Sequence, residues 1–388
     1  MSGQSNRVAP TISTSAGTVS GVQRPDSAAY LGVPFAAPPT GERRFLAPQP
    51  PVPWHGVRAC DASGPTPQRR PFGDVTTIPE PSNAGDDTLN VNVFTPAPGD
   101  RDALQPVLVW VHGGGYFAGS PASPWYDGRS FARDGVVTVV LSYRLVFDGF
   151  GWIDGVPLNR GLLDQIAALE WVRDNIRGFG GDPARVTIAG QSAGGGSVLA
   201  LLTSPRAAGL FRGAISQSGA AGALSAAGAE RTGRRFAAAI GVSPDLSGWR
   251  SLTEDQILDR QTEFNQVPDV PGMASPPTEL IAAARRTPAG SLPLAFAPVV
   301  DDEIVLAPVE AIRAGAGAEV PLLLGATRNE FAFPIPGAAS VREIVAAASA
   351  AGCTEAAVAR CRLEGDRLGP AYAASQLAVA QMFRAPAV

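Results

Sequence analysis

Two short stretches hold the residues whose types and spacing could do chemistry. Gly190-Gln191-Ser192-Ala193-Gly194 follows a β-branched, apolar run, Val186 to Ala189, and precedes the helix-favouring Ala200, Leu201 and Leu202. A serine at such a strand-to-helix turn is a candidate nucleophile. The turn is so sharp that Cβ atoms at Gly190 and Gly194 would collide with neighbouring backbone, and the strain lifts the Ser192 hydroxyl above the sheet. His112-Gly113-Gly114-Gly115-Tyr116 follows a second buried strand, Val107 to Val111. Its glycines leave backbone N–H groups bare and free to point at one spot, and the His112 imidazole suits a brace for this loop better than a base. A serine hydroxyl is a poor nucleophile near neutral pH and needs a base. The sequence has two histidines, His55 and His112, and neither follows Ser192.

The elements that must position these residues alternate between strand and helix. Leu89 to Phe94, Val107 to Val111, Val136 to Ser142, Val186 to Ala189, Phe211 to Ser218 and Pro321 to Gly325 read as strands, most of them buried. Gly161 to Arg177 carries Leu162, Leu163, Ile166, Leu169, Trp171 and Val172 as a helical stripe that packs on a sheet. Such alternation predicts an α/β fold with a mostly parallel central sheet and helices on both faces. Gly17 and Gly21 predict a short hairpin near the start. The Pro- and Gly-rich segment from Ala47 to Asn83 must be held by what it packs on, so it wraps the surface. Residues 220–290, with helical patches at Arg234–Ile240, Glu254–Glu263 and Thr278–Arg286, read as an inserted helical cap, and residues 338–388 are helical in tendency. The whole is read as one domain, 1–388.

Composition excludes several classes. The net charge of −4 and a pI near 5.4 give no reason to expect nucleic-acid or anionic-membrane partners. No window approaches the roughly 18 uninterrupted apolar residues of a membrane span. The polar N-terminus lacks the apolar core of a secretory signal. Cys60, Cys353 and Cys361 form no metal-ligand pattern, and their odd number suits free thiols in a reducing compartment, so a cytoplasmic location is expected, with no metal and no cofactor.

Taken together, the motifs resemble the type-B carboxylesterases, the family of cholinesterases and bacterial p-nitrobenzyl esterases, whose nucleophile elbow is the Gly190–Gly194 pattern. The likeness runs from residue 17 onward. It rests on Tyr30–Ala36 with Pro38-Pro39, Arg44-Phe45, Trp54, Leu89–Pro96, His112–Tyr116, Tyr143-Arg144, Asn159 with Gly161–Gln165, Trp171 with Asn175-Ile176, Phe179–Pro183, Gly190–Gly195, Phe211–Gly219 and Gly325–Glu330. The resemblance implies an α/β-hydrolase fold. It makes Ser192 the nucleophile and gives the oxyanion-hole N–H groups to Gly114, Gly115 and Ala193. Glu330 becomes the triad acid, and His112, Gly113, Gln191 and Ser218 become supporting residues. It also implies an Arg144–Asp164 ion pair and a second between Arg44 and Asp86. Its implied substrate is a small-molecule carboxylic ester.

Four departures from the family pattern follow. Gln191 is neutral where Glu is common, which disfavours a cationic choline ester. The family's N-terminal disulfide cysteines fall near Thr66 and Thr88. Phe331 replaces a small residue after the acid and alters the pocket there. The family's catalytic His lies beyond a stretch like Phe383-Arg384-Ala385-Pro386-Ala387, so the last strand and the His loop are expected to be missing and turnover impaired. An unpaired, partly bare edge at Val320–Gly325 and poor solubility are then expected as well. The alternative readings are a non-catalytic hydrolase-fold interaction protein and an inactive truncated gene product.

Overall fold

The structure, a computed structural model, describes residues 7–67, 76, 78–264, 294–330, 340–350 and 353–378. Its strands in chain order are β1 (Arg7–Val8), β2 (Ile12–Ser13), β3 (Thr18–Ser20), β4 (Val22–Gln23), β5 (Ala28–Pro34), β6 (Val57–Ala59), β7 (Asn90–Thr95), β8 (Gln105–Val111), β9 (Val137–Leu141), β10 (Gly181–Gln191), β11 (Gly213–Gln217) and β12 (Leu322–Gly325). The main sheet runs β1-β4-β5-β7-β9-β8-β10-β11-β12, and β2, β3 and β6 form a small second sheet. Gly17 lies in the β2–β3 hairpin, whereas Gly21 separates strands of different sheets.

The main sheet is mixed. Parallel strands need a crossover of a dozen or more residues, and the chain supplies such crossovers from β8 onward, so β9, β8, β10, β11 and β12 pair in parallel. The N-terminal half, β1, β4, β5 and β7, is antiparallel, and so is β7 with β9. Every residue of β7 and β9 is buried, as expected of strands covered on both faces.

The helices are α1 (Arg129–Arg133), α2 (Val146–Phe150), α3 (Arg160–Asn175), α4 (Ala193–Thr203), α5 (Ala226–Ile240), α6 (Leu246–Arg250), α7 (Glu254–Phe264), α8 (Pro308–Arg313), α9 (Val341–Ala350), α10 (Glu355–Leu368) and α11 (Pro370–Ala378). They cover both faces of the sheet. All of α4 is buried against β8, β10 and β11, which is why its sequence, Ala-Gly-Gly-Gly-Ser-Val-Leu-Ala-Leu-Leu-Thr, is small or apolar all round. In α3 the stripe Leu162, Leu163, Ile166, Leu169, Trp171 and Val172 is buried. Full burial of each such side chain contributes about 1.5–3 kcal/mol.

The cap contains α5, α6 and α7, and the expected patch at Thr278–Arg286 lies outside the described residues. Phe147 of α2 contacts Trp249 of α6 at 4.0 Å, Phe236 of α5 at 5.2 Å and Phe296 at 5.7 Å between ring centroids. This aromatic cluster fastens the cap to the helix that follows β9. Helices α9–α11 enclose a small core of their own, made of Ile344, Val345, Ala348, Cys361 and Ala373.

Two expectations change. Residues 321–325 do not form the buried strand of the apolar reading but the unpaired, bare edge expected at Val320–Gly325: β12 pairs only with β11 among the described residues and Leu323 is 66% exposed. An apolar run reports burial only when a neighbour covers it, and this one lies at a sheet edge. Arg44 pairs with Asp148 of α2 (Nε to Oδ2 3.3 Å) rather than with Asp86, which is exposed. The Arg44 guanidinium also donates to the Leu252 carbonyl, so tertiary position chose its partner. The three cysteines are free thiols.

Candidate active site

The parallel ladders end level. Gly190 lies opposite Val111, Gln191 opposite Gln217, and Gln217 opposite Gly325. The loops after β8, β10, β11 and β12 therefore emerge at one edge, the carboxyl edge where open α/β sheets hold their ligands. His112, Ser192, Ser218 and Glu330 stand on these loops.

Ser192 connects β10 to α4 with φ 58° and ψ −123°, a conformation that non-glycine residues rarely adopt and that costs on the order of 1–3 kcal/mol. The turn is held from both sides. The Ser192 N–H donates to the Gln217 carbonyl at 2.9 Å, and its own carbonyl accepts the Gly196 N–H at 2.8 Å. A Cβ on Gly194 would lie 2.1 Å from the Val111 carbonyl oxygen, so only glycine lets the turn at Ser192 sit against β8.

The loop after β8 passes through positive φ at Gly114 (115°), Gly115 (63°) and Tyr116 (65°). The Gly114 carbonyl accepts the Ala118 N–H at 2.8 Å, and the Tyr116 carbonyl accepts the Val146 N–H at 2.8 Å. Among the described residues the N–H groups of Gly114 and Gly115 have no acceptor. A Cβ on Gly113 would lie 2.6 Å from the Gln191 carbonyl oxygen and 3.2 Å from Ser192 Cβ, so the loop presses directly on the elbow. Ala193 opens α4 beside it and is buried. These amides and the Ser192 hydroxyl make a site that could stabilise an oxyanion next to an attacking oxygen.

His112 is fully buried. Its Nδ1 donates to the Gly113 carbonyl at 2.8 Å, while Nε2 has no partner among the described residues. The ring stacks on Tyr143 with centroids 4.5 Å apart, and the Tyr143 hydroxyl donates to the His112 carbonyl at 2.9 Å. Burial pushes the imidazole pKa down to about 4, the Gly113 bond opposing. His112 is thus a neutral brace for the glycine loop. His55 is exposed, next to the Trp54 whose indole donates to the Thr18 carbonyl in the small sheet.

Glu330 is half-buried, and its Oε1 accepts the Ser218 hydroxyl at 2.6 Å and the Thr327 N–H at 2.8 Å. Ser218 has φ 51°, and its N–H donates to the Gly325 carbonyl at 2.7 Å. No hydrogen bond joins Ser192 to Glu330 among the described residues. Their strands lie on either side of β11, whose following residue Ser218 is the one that Glu330 meets. Gln376 of α11 donates to the Arg328 carbonyl at 2.6 Å and to Asn329 Oδ1 at 2.5 Å, tying down the Glu330 loop. Phe331 lies outside the described residues.

Sequence reasoning missed Tyr143 and Gln376 as parts of this site. Tyr143 was visible only as a neighbour of Arg144, and nothing in the local sequence marked Gln376. Arg144 meets Asp164 as a buried pair, with Nη2 to Oδ1 at 2.7 Å, Nε to Oδ2 at 2.8 Å and the Arg144 N–H to Oδ2 at 2.9 Å.

Among solved structures, a PNB esterase superposes with a TM-score of 0.75 at 31% identity, covering 97% of this chain and 76% of that one. A thermophilic PNB esterase gives 0.77 at 32% identity, covering 97% and 75%. These neighbours and the elbow at the carboxyl edge define the class as an α/β-hydrolase. The profile of the carboxylesterase family matches residues 8–355, and the chain belongs to that family. The para-nitrobenzyl esterase of Bacillus subtilis (strain 168) is 36% identical over 329 residues, 82% of this chain and 62% of that protein. The fumonisin B1 esterase of Sphingopyxis macrogoltabida is 42% identical over 218 residues, 53% of this chain and 39% of that protein. The chain spans 62% and 55% of the lengths of the Bacillus para-nitrobenzyl esterase and rat carboxylesterase 1D.

Proposed function

We propose that this chain carries the acyl-transfer site of a carboxylic ester hydrolase. Ser192 Oγ attacks the ester carbonyl carbon, the carbonyl oxygen becomes an anion, and the N–H groups of Gly114, Gly115 and Ala193 receive it. The alcohol departs, leaving an acyl-Ser192 that water hydrolyses. The strained elbow at Ser192 carries this reading, because a left-handed serine persists only where surrounding structure over-determines it, as at catalytic turns. Unpaired glycine amides beside it support the oxyanion role. The carboxylate of Glu330, oriented by Ser218 and Thr327, is the group that would hold a protonated imidazole.

Neither histidine of the sequence is suited to take the Ser192 proton, since burial makes His112 a weak base whose Nδ1–H is committed to the Gly113 carbonyl, and His55 adjoins Trp54, which is bonded to the small second sheet. Turnover by these 388 residues is therefore low. Loss of one triad function costs about 10⁴–10⁶ in kcat, while an oxyanion hole and binding retain about 10³ over water. The substrate class is a small carboxylic ester, and the neutral Gln191 gives no attraction to a cationic alcohol. Hydrolysis of a p-nitrophenyl ester tests both claims. Slow release that disappears in Ser192→Ala is expected. Ser192-dependent turnover at about 1 s⁻¹ or faster overturns the low-turnover claim, and equal rates in both proteins overturn the nucleophile.

A further inference from the structure

The amides proposed to receive the oxyanion come from two separate pieces of chain. Gly114 and Gly115 lie on the loop after β8, and Ala193 lies at the start of α4. Donors of this kind must hold their mutual geometry to within about 0.5 Å to act on one atom. Something therefore has to tie loop to helix.

Tyr116 has the contacts to do so. It follows Gly115 directly, has φ 65° although it is not glycine, and is 3% exposed. Its ring meets Phe150 edge-on, with centroids 5.0 Å apart. Its hydroxyl reaches α4 at Gly196, the residue before Ser197. The neighbouring Ser197 hydroxyl accepts from Gln165 Nε2 of α3 at 3.2 Å, and both residues are fully buried. A Cβ placed on Gly196 would lie 2.8 Å from the Tyr116 hydroxyl oxygen and 3.0 Å from the Ala220 carbonyl oxygen. The phenol therefore occupies the space that a side chain at position 196 would need.

We infer that Tyr116 is a positioning residue that locks the glycine loop to the nucleophile helix, its phenol seated in the space left by Gly196 and against Phe150, and so fixes the spacing of the two groups of oxyanion donors. The inference rests on the proposed role of Ser192 and goes beyond it, because it assigns the coupling between two donors to one phenol. The left-handed backbone at Tyr116 is the strain that this lock retains. Removing the hydroxyl alone leaves Ser197 with Gln165 and the ring with Phe150, so the fold should survive the substitution.

The test measures acylation of Ser192 by p-nitrophenyl acetate, with protein in stoichiometric amounts, in wild type, Tyr116→Phe, Gly196→Ala and the double variant. Misplaced donors are felt in the transition state and not in substrate binding. Tyr116→Phe should therefore slow acylation by about tenfold at an unchanged half-saturating concentration. Gly196→Ala should lose more, and adding Tyr116→Phe to Gly196→Ala should restore much of that loss because the clashing oxygen is gone. A wild-type rate in Tyr116→Phe, or additive losses in the double variant, overturns the lock. Amide hydrogen exchange supplies a readout independent of chemistry. Tyr116→Phe should accelerate exchange at 114–118 and at 193–197 together, and unchanged exchange at either segment overturns the coupling. Acylation insensitive to Ser192→Ala would instead overturn the parent reading, with the exchange result still deciding the lock.

Discussion

Asp164→Ala should unfold this protein several degrees early, and the size of the effect follows from the surroundings of one carboxylate. Asp164 is fully buried and accepts three bonds from Arg144, two from the guanidinium and one from the backbone N–H. Arg144 is 4% exposed, and its guanidinium also donates to the Leu46 carbonyl at 2.7 Å. A second buried guanidinium, Arg160, is held among the described residues by carbonyls, those of Phe147, Asp148, Gly151 and Pro157. Its pKa is lowered to about 9, first by burial and then by the Arg144 charge. Removing Asp164 leaves both cations with less counter-charge. Breaking a buried pair from one side costs about 3–5 kcal/mol. An unfolding entropy of about 2.1 cal/mol/K per residue over 388 residues is about 0.8 kcal/mol per kelvin, so the midpoint should fall by about 4–6 °C. Differential scanning calorimetry reads this directly. Replacing both partners, Arg144→Met with Asp164→Leu, should recover most of the loss because no charge is left unpaired. A shift below about 1 °C in Asp164→Ala would refute the reasoning.

Three further outcomes are expected. Burial lowers the His112 pKa from 6.5 to about 4, so between these values the unfolded chain binds a proton that the folded one refuses. Its contribution to stability is full above pH 6.5 and falls by about 3 kcal/mol as pH drops to about 4. Urea unfolding of wild type against His112→Asn should show that difference below pH 6.5, and a flat difference would contradict it. Leu323→Lys on the exposed β12 edge should reduce light scattering on storage with little change in melting, since a charge blunts an apolar edge; unchanged scattering would clear this strand of responsibility. Gly194→Ala should abolish the reactivity of Ser192, because its Cβ would lie 2.1 Å from the Val111 carbonyl oxygen; retained reactivity would show that the turn can relax.

The parts of the site that the sequence made legible are those whose geometry is local. Gly190 to Gly194 spell out a turn that only glycines permit, and the strand before it and the helix after it follow from short-range patterning. The same holds for β8 with its glycine loop and for α3 with its apolar stripe. What stayed hidden depends on distant partners. Asp148 rather than Asp86 meets Arg44 because α2, a five-residue helix that no periodicity announces, brings it there. β12 reads as buried from Leu322, Leu323 and Leu324 alone, since a run of leucines cannot say whether a neighbouring strand covers it; its bare edge follows only from the family resemblance. The antiparallel half of the sheet was invisible for a related reason: strands β1, β4 and β5 are short or bulged and take their direction from pairing. Tyr116, Tyr143 and Ser197 lie in stretches that the motifs pointed to, yet the side-chain contacts they make appear only once the glycine loop, α3, α4 and the turn after β9 are packed together.

The central claim is that Ser192 is the nucleophile and that the glycine loop receives the oxyanion. Its most direct measurement is peptide mass spectrometry after incubation with a fluorophosphonate, whose phosphoryl oxygen occupies the oxyanion position once a serine has displaced fluoride. The account predicts a single adduct, on the peptide containing Ser192, absent in Ser192→Ala and formed more slowly in Tyr116→Phe. An adduct on another serine, or none at Ser192 after prolonged exposure to excess reagent while a carboxylesterase run alongside is labelled, would contradict it.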